Sequence, residues 1–356
     1  MRFTLYKLGF SILSIFLFMM YIMTVHRNSF NAINTGKSNF EVKKQEPKNL
    51  NKRFIVDTPG CQIVHLEPFD PEVRKMYTYT ENKECPEMNV FARANRTHLN
   101  IDMKLANEIH GNEVVCGYKR IWRDGNDTTD DSYGIADSLT NLTDSILAVE
   151  EFLSFECAIN GEVFYQDFFP FIQVKPEVEK EHDLNFNYWM DETRETVVER
   201  LSVTFLGVDS ISRLNMLRQM PKTFNYLRDV MDAIDLQGFT KVADNTFVNI
   251  VPMLSGLFLE ECWNESLSGE PFDDLNLAWK DFAVKGYRTL FAEDFPEISI
   301  FNFLKAGFFH QPTDYYFRPF TLAVKDGINF TENCYNNRLE VNVVLKWLTD
   351  FLEQFR

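Results

Sequence analysis

The chain has 356 residues, 45% of them apolar, which is room for about two domains and a sizeable core. Its 36 basic residues face 52 acidic ones, a formal charge of -16. That balance excludes sequence-independent attraction to nucleic acid phosphates.

At the N-terminus LGFSILSIFLFMMYIMTV, Leu8–Val25, is an uncharged run that at the helical rise spans most of a bilayer core. It predicts a membrane helix over residues 1–26, kept as a signal anchor, because the run ends in Ile22, Met23, Thr24 and Val25 and not in small residues of a cleavage site. A cleaved signal, leaving a secreted body, is the alternative. Arg2 and Lys7 precede the run while Arg27, Lys37, Lys43 and Lys44 follow it, so the charge rule orients it weakly. The sequons at Asn95, Asn126, Asn141, Asn264 and Asn329 decide better, since all follow the run and place N-linked glycans on a lumenal or extracellular body. Cys61, Cys85, Cys116, Cys157, Cys262 and Cys334 contain no C-x-x-C pair, so disulfides are the expected use. The first four could close within one domain and the last two within another, although spacing does not fix the connectivity.

Residues 27–57 read as a solvated stem, rich in Asn, Ser, Lys and Gln. Residues 58–175 read as a β-rich, disulfide-containing module, with strands expected at Gln62–Leu66, Val114–Ile121, Phe152–Ile159 and Glu162–Phe171. Asn160-Gly161 between the last two is a two-residue hairpin signal. DGNDTTDDSYG, Asp124–Gly134, does not match calcium-loop spacing and is expected to be a solvated loop. Residues 176–196 are charged and predict a linker, with His182 at the surface.

The remainder, 197–356, predicts an α/β domain. LSVTFLGVDSISR supplies a buried strand that delivers Asp209 to its C-terminal end, where open α/β sheets bind ligands. Leu214–Met231 has helical spacing with Pro221 suited to a first helical position. LQGFTKVADNTFVN reads as a second strand entering a turn at Asp244-Asn245, followed by a helix from Ile250 that Gly256 stops. Gly286 marks a further helix end and Tyr287–Phe291 a short strand. This alternation predicts a mainly parallel sheet. Val344, Trp347, Leu348, Phe351, Leu352 and Phe355 form one helical stripe that needs a partner surface.

Asp209 and Thr246 are the candidate pair: a hard oxygen ligand, and a hydroxyl that needs a metal or a base before it can attack. Asn249 could donate to a developing oxyanion. The plainer alternative is that Asp209 caps a turn and Thr246 caps a helix. G-x-S-x-G is absent, which argues against a serine triad, and D-x-D is absent, which argues against a nucleotide-sugar transferase.

VTFLGVDSISR, PKTFNYL and DNTFVNIVPMLSG in that order resemble the secreted "domain of unknown function 229" family, placed in the alkaline-phosphatase and sulfatase superfamily. TPGCQIVHLEPFDPEV, GYRTLFAEDFPEISIFNFLKAGF and PTDYYFRPF extend the resemblance from about Thr58 to Arg356. It implies the first part of an alkaline-phosphatase-like, mainly parallel sheet flanked by helices, preceded by the β-rich module and the N-terminal helix. It also implies Thr246 as nucleophile, Asn249 as oxyanion donor and Asp209 as ligand to a divalent metal, zinc in full-length relatives. Val248 stands where the related phosphodiesterases carry proline, and the C-x-P-S-R segment of sulfatases is absent, which favours phosphate-ester over sulfate-ester chemistry. The D-x-x-x-H and D-H-G segments that complete the metal site do not occur before Arg356. The expectation is therefore a truncated chain, related to metal-dependent phosphoric or sulfuric ester hydrolases but inactive and not metal-binding by itself. A stripe left partly exposed at the C-terminal helix goes with that expectation. The alternative is a non-catalytic cell-surface or lumenal binding glycoprotein.

Overall fold

A computed structural model describes residues 17–24, 53–78, 84–111, 113–125, 129–193, 201–328 and 333–355. They form a mixed α/β chain that groups into two compact units interleaved along the sequence. The larger is drawn from Glu84–Val198 and Asn245–Arg356, the smaller from Leu17–Lys83 and Glu199–Asp244.

The larger unit is built on an antiparallel sheet ordered Glu162–Pro170, Phe152–Ile159, Val114–Arg123, Tyr133–Ile135, with Thr140–Leu142 also paired to Val114–Arg123. The expected hairpin is present: Asn160 and Gly161 have φ of 51° and 86°, the two positive values that a tight right-twisting turn needs. Phe152–Ile159 is buried along most of its length because both sheet faces are covered. Leu153, Phe155 and Cys157 point into one apolar cluster with Phe91, Leu99 and Ala106, while Phe152 points into a second with Phe168, Phe317, Phe320 and Trp347.

That second cluster is closed by the helices Arg318–Gly327 and Glu340–Gln354. The C-terminal stripe is not left exposed. Trp347 is 1% exposed, its ring lies 4.7 Å from that of Phe317, and its indole N–H donates to Phe171 O at 3.2 Å. Val344, Leu352 and Phe355 pack against the same cluster. A third cluster joins Phe247, Val251, Phe272, Leu277, Phe301 and Phe308.

Several sequence expectations are corrected. The charged stretch expected as a linker contains an 18-residue helix, Pro176–Thr193, and His182 on it is buried. Asp130, in the loop expected to be solvated, is 3% exposed. Disulfides join Cys116 to Cys157 across adjacent strands and Cys85 to Cys334, so the pairing is not first four then last two. Cys61 and Cys262 are thiols. The expected mainly parallel sheet is not seen among the described residues, whose strands pair mostly antiparallel. Among the described residues the one parallel pair is Leu290–Phe291 with Tyr315–Tyr316.

In the smaller unit Leu201–Val208 is a strand, as expected, but it pairs antiparallel with Leu17–Thr24. Those eight residues fall inside the run expected to be a membrane helix. An apolar stretch of mixed aromatic and aliphatic residues suits either state, and a partner strand decides it. The rest of that run, 8–16 and Val25, lies outside the described residues, as does the stem up to residue 52. Among the described residues no helix is long and apolar enough to cross a membrane. Arg213–Gln219, capped by Ser212 accepting from Asn215 N at 3.1 Å, is followed by Pro221–Asp229 with its proline at the helix start. The second strand expected before Asp244 is absent, and Leu236, Phe239 and Val242 lie exposed in irregular chain. No residue of Leu201–Val208 or of the two helices is buried.

Replacing Trp347 by Ala removes the centre of the second cluster and orphans the Phe171 carbonyl. The expected loss of unfolding free energy is about 3–5 kcal/mol, measured by urea unfolding followed by far-ultraviolet circular dichroism.

Candidate functional site

Thr246 stands at the start of the helix Phe247–Ser255, directly after Asn245, whose φ of 76° is left-handed. Asn tolerates that conformation better than most residues because its short polar side chain bonds locally. Asn249 braces the turn, its Nδ2 donating to Asn245 O at 2.7 Å. Thr246 O accepts from Ile250 N at 2.9 Å, whereas the Thr246 side chain makes no capping hydrogen bond to the helix. Thr246 is thus the N-cap residue of that helix by position, without a side-chain cap. At the far end Gly256, with φ of 71°, stops the helix as expected. The half-buried Thr246 hydroxyl thus lies beside the positive end of a nine-residue helix, a setting that favours anions.

Asp209 follows the strand Leu201–Val208 at a turn in which Ser210 has φ of 57°, and the Ser210 hydroxyl donates to Asp209 Oδ2 at 3.1 Å. Its position at a strand end matches the expectation. Asp209 belongs to the smaller unit, Thr246 and Asn249 to the larger. Among the described residues no group of three or more His, Cys, Asp or Glu side chains is placed to hold a metal ion. A zinc site takes several protein ligands, and among the described residues Asp209 is not grouped with others that could complete one.

Two polar nodes escaped the sequence reading. Asp130 Oδ2 accepts from Tyr316 Oη at 2.7 Å, Asn302 Nδ2 at 2.9 Å and Phe308 N at 3.1 Å. Arg318 Nε donates to Asp130 O at 3.0 Å, and its Nη1 donates to Pro296 O and Ser299 Oγ. Burial pushes the Asp130 carboxyl above its ordinary value, against the pull of these donors and of the Arg318 charge. The second node is His182 with Asp314 and Thr289. Asp314 Oδ2 accepts from Thr289 N at 2.7 Å and Thr289 Oγ1 at 2.8 Å, and lies 3.0 Å from His182 Nε2.

Beside this second node is a cleft of about 330 Å³ lined by Lys175, Thr289, Gln311, Thr313 and Asp314. Its donors are engaged within the protein: Lys175 pairs with Glu151 at 2.8 Å and donates to Asp314 O at 2.7 Å, and Gln311 donates to Thr313 O and Asp314 O. Both nodes read as structural ties. The segment PTDYYFRPF, with Asp314, Tyr316 and Arg318 two residues apart, was the sequence signal for them.

These features define a mixed α/β protein with two disulfides, which fits a secretory-pathway or extracellular setting. A family model described as "Protein of unknown function (DUF229)" matches residues 77–356, and the chain belongs to that family. No curated protein and no solved structure matches the chain.

Burial alone would raise the Asp314 carboxyl, but the hydrogen bonds from His182 and Thr289 hold it below its ordinary value of 3.8. Stability from this group is thus present above about pH 4 and is lost as pH falls through the lower folded value. Wild type is expected to exceed Asp314→Asn in unfolding free energy near pH 6, and the gap should close progressively below pH 4 in urea titrations.

Proposed function

We propose that the chain is a secretory-pathway glycoprotein related to metal-dependent phosphoric or sulfuric ester hydrolases, retaining the hydroxyl end of such a site and silent in turnover as it stands. The observation that carries the reading is Thr246 itself: a hydroxyl at a helix N-terminus, set there by the left-handed Asn245 and braced by Asn249. An oxyanion placed there gains from the helix end and from a hydroxyl donor. An alkaline-phosphatase-like ancestry supplies the reason for that geometry, with Asp209 as the former metal ligand; no reaction step is routed through a metal here. Zinc is a property of the lineage in this proposal.

Delivery to the secretory pathway is proposed through the apolar run at residues 8–25. N-linked glycans are proposed on the body, where Asn95, Asn141 and Asn264 are exposed; Asn126 and Asn329 lie outside the described residues. A second reading is a non-catalytic cell-surface or lumenal binding glycoprotein.

Inorganic phosphate titrated onto the purified chain is expected to perturb the amide signals of residues 246–249, with Thr246→Ala weakening binding by about 1.5–3 kcal/mol. Unperturbed amides would sink the site. Turnover of an aryl phosphodiester with added zinc is expected to match that of Thr246→Ala; a metal-dependent rate that this substitution abolishes would make the protein an enzyme. Glycosidase treatment of the secreted protein should lower its mass, and Asn95→Gln, Asn141→Gln and Asn264→Gln should each remove a glycan's share.

A further inference from the structure

The C-terminal helix begins with a carboxyl group that the fold encloses without a cation of its own. Glu340 is the first residue of that helix and is 2% exposed. Its backbone N–H donates to Asn333 O at 3.0 Å, yet among the described residues its Oε2 makes no hydrogen bond. The charges that face it are acidic, from Asp294 and Glu297. Tyr335 is packed beside these acids, its hydroxyl donating to Asp294 O at 3.3 Å. The nearby cations are engaged elsewhere. Lys325 pairs with Glu297 at 2.8 Å, and Arg338 pairs with Asp167 and donates to Phe168 O.

Enclosing an ionised carboxylate beside two others is strongly unfavourable, whereas the neutral acid tolerates the same position. The helix N-terminus favours the anion, but that effect is small beside burial. Burial, with the Asp294 and Glu297 charges adding, pushes the Glu340 carboxyl up to about 8.

We infer that Glu340 is a proton-operated latch: its neutral acid lets the first turn of the C-terminal helix seat against the ribbon Cys334–Leu339, and loss of the proton to solvent loosens that turn. The disulfide from Cys334 to Cys85 ties the ribbon at the strand position opposite Leu339, the residue that precedes the helix. The helix then carries Trp347 and Phe351, which close the second cluster. A fold that keeps its proton is most stable in acidic compartments and relaxes on transfer to neutral surroundings.

The sign follows from proton counting. A carboxyl whose folded value lies above its unfolded value of 4.5 binds more protons native than unfolded between 4.5 and about 8, so stability falls as pH rises across that window. Glu293, whose burial also takes it to about 8, adds a similar slope and must be separated. The full chain is unfolded in urea from pH 5 to pH 8, alongside Glu340→Gln and Glu293→Gln. Amide hydrogen exchange of residues 341–345 is followed over the same range and corrected for intrinsic rates.

Glu340→Gln is expected to remove up to about tenfold per pH unit from the fall of the folding constant and to make protection of residues 341–345 independent of pH. Glu293→Gln is expected to change the global slope while leaving the pH-dependence of that protection in place. Asp294→Asn and Glu297→Gln keep the test open should Glu340→Gln fail to fold, since each removes a facing charge that raises Glu340 and so shifts the protection midpoint to lower pH. An unchanged pH-dependence in Glu340→Gln, or unshifted midpoints in both neighbour variants, overturns the latch.

Discussion

The larger unit depends on one packing event, the seating of Phe152 from the sheet against Phe317, Phe320 and Trp347 from the helical side, with ring centroids 5.6–6.1 Å apart. Rings of this size each bury on the order of 150–250 Å², so a few of them supply much of the apolar burial that fixes the helices on the sheet. Apolar burial has no direction, and the orientation comes from polar ties at its rim. Trp347 Nε1 donates to Phe171 O, Tyr315 Oη donates to Gln173 O, and Arg338 pairs with Asp167. Each tie runs from a C-terminal segment to the end of the sheet, and each would be left unsatisfied by a slip of one residue.

The Asp130 and Arg318 node extends the same logic to charge. Two buried ionic groups cost more in lost hydration than their attraction returns unless every lone pair and N–H is met. Here Asp130 Oδ2 has three donors and Arg318 reaches Asp130 O, Pro296 O, Ser299 and Asp131. The node adds little net stability over an apolar plug of equal volume. Its contribution is to tie Asp130 and Asp131 to Asn302, Phe308, Tyr316 and Arg318 in one arrangement.

Local signals in the sequence were legible where a few adjacent residues decide the outcome. Asn160-Gly161 fixed its hairpin, Pro221 its helix start, and Gly256 its helix end. The signals failed where the partner is remote. Leu17–Thr24 reads equally well as part of an apolar helix until Leu201–Val208 offers a ladder. Leu236–Val242 has strand composition yet forms irregular chain. Asp130 could not be told from Asp124 in the same loop, since composition does not reveal that Tyr316, nearly two hundred positions on, ends up bonded to it. Of the candidate site, the local settings of Asp209 and Thr246 were readable, as a strand end and a helix start. The ligand set around them was not, because it depends on chain segments far from either motif.

The titrations of opposite sign in the larger unit constrain where the protein is most stable. Asp314 withdraws its contribution as pH falls below its ordinary carboxylate value, while Glu293 and Glu340 withdraw theirs as pH rises from that range toward 8. Glu293 and Glu340 lie near the start and end of the segment 293–340, and Asp314 lies between them, just before the strand Tyr315–Tyr316; burial also raises Asp130, Glu151 and Asp167 in this unit. A shared optimum in mildly acidic surroundings follows from the burial of the two glutamates together with the hydrogen bonds from His182 and Thr289 to Asp314. Two disulfides fit a secretory-pathway or extracellular setting for this unit. The buried acids are therefore the feature of the fold that ties its stability to pH.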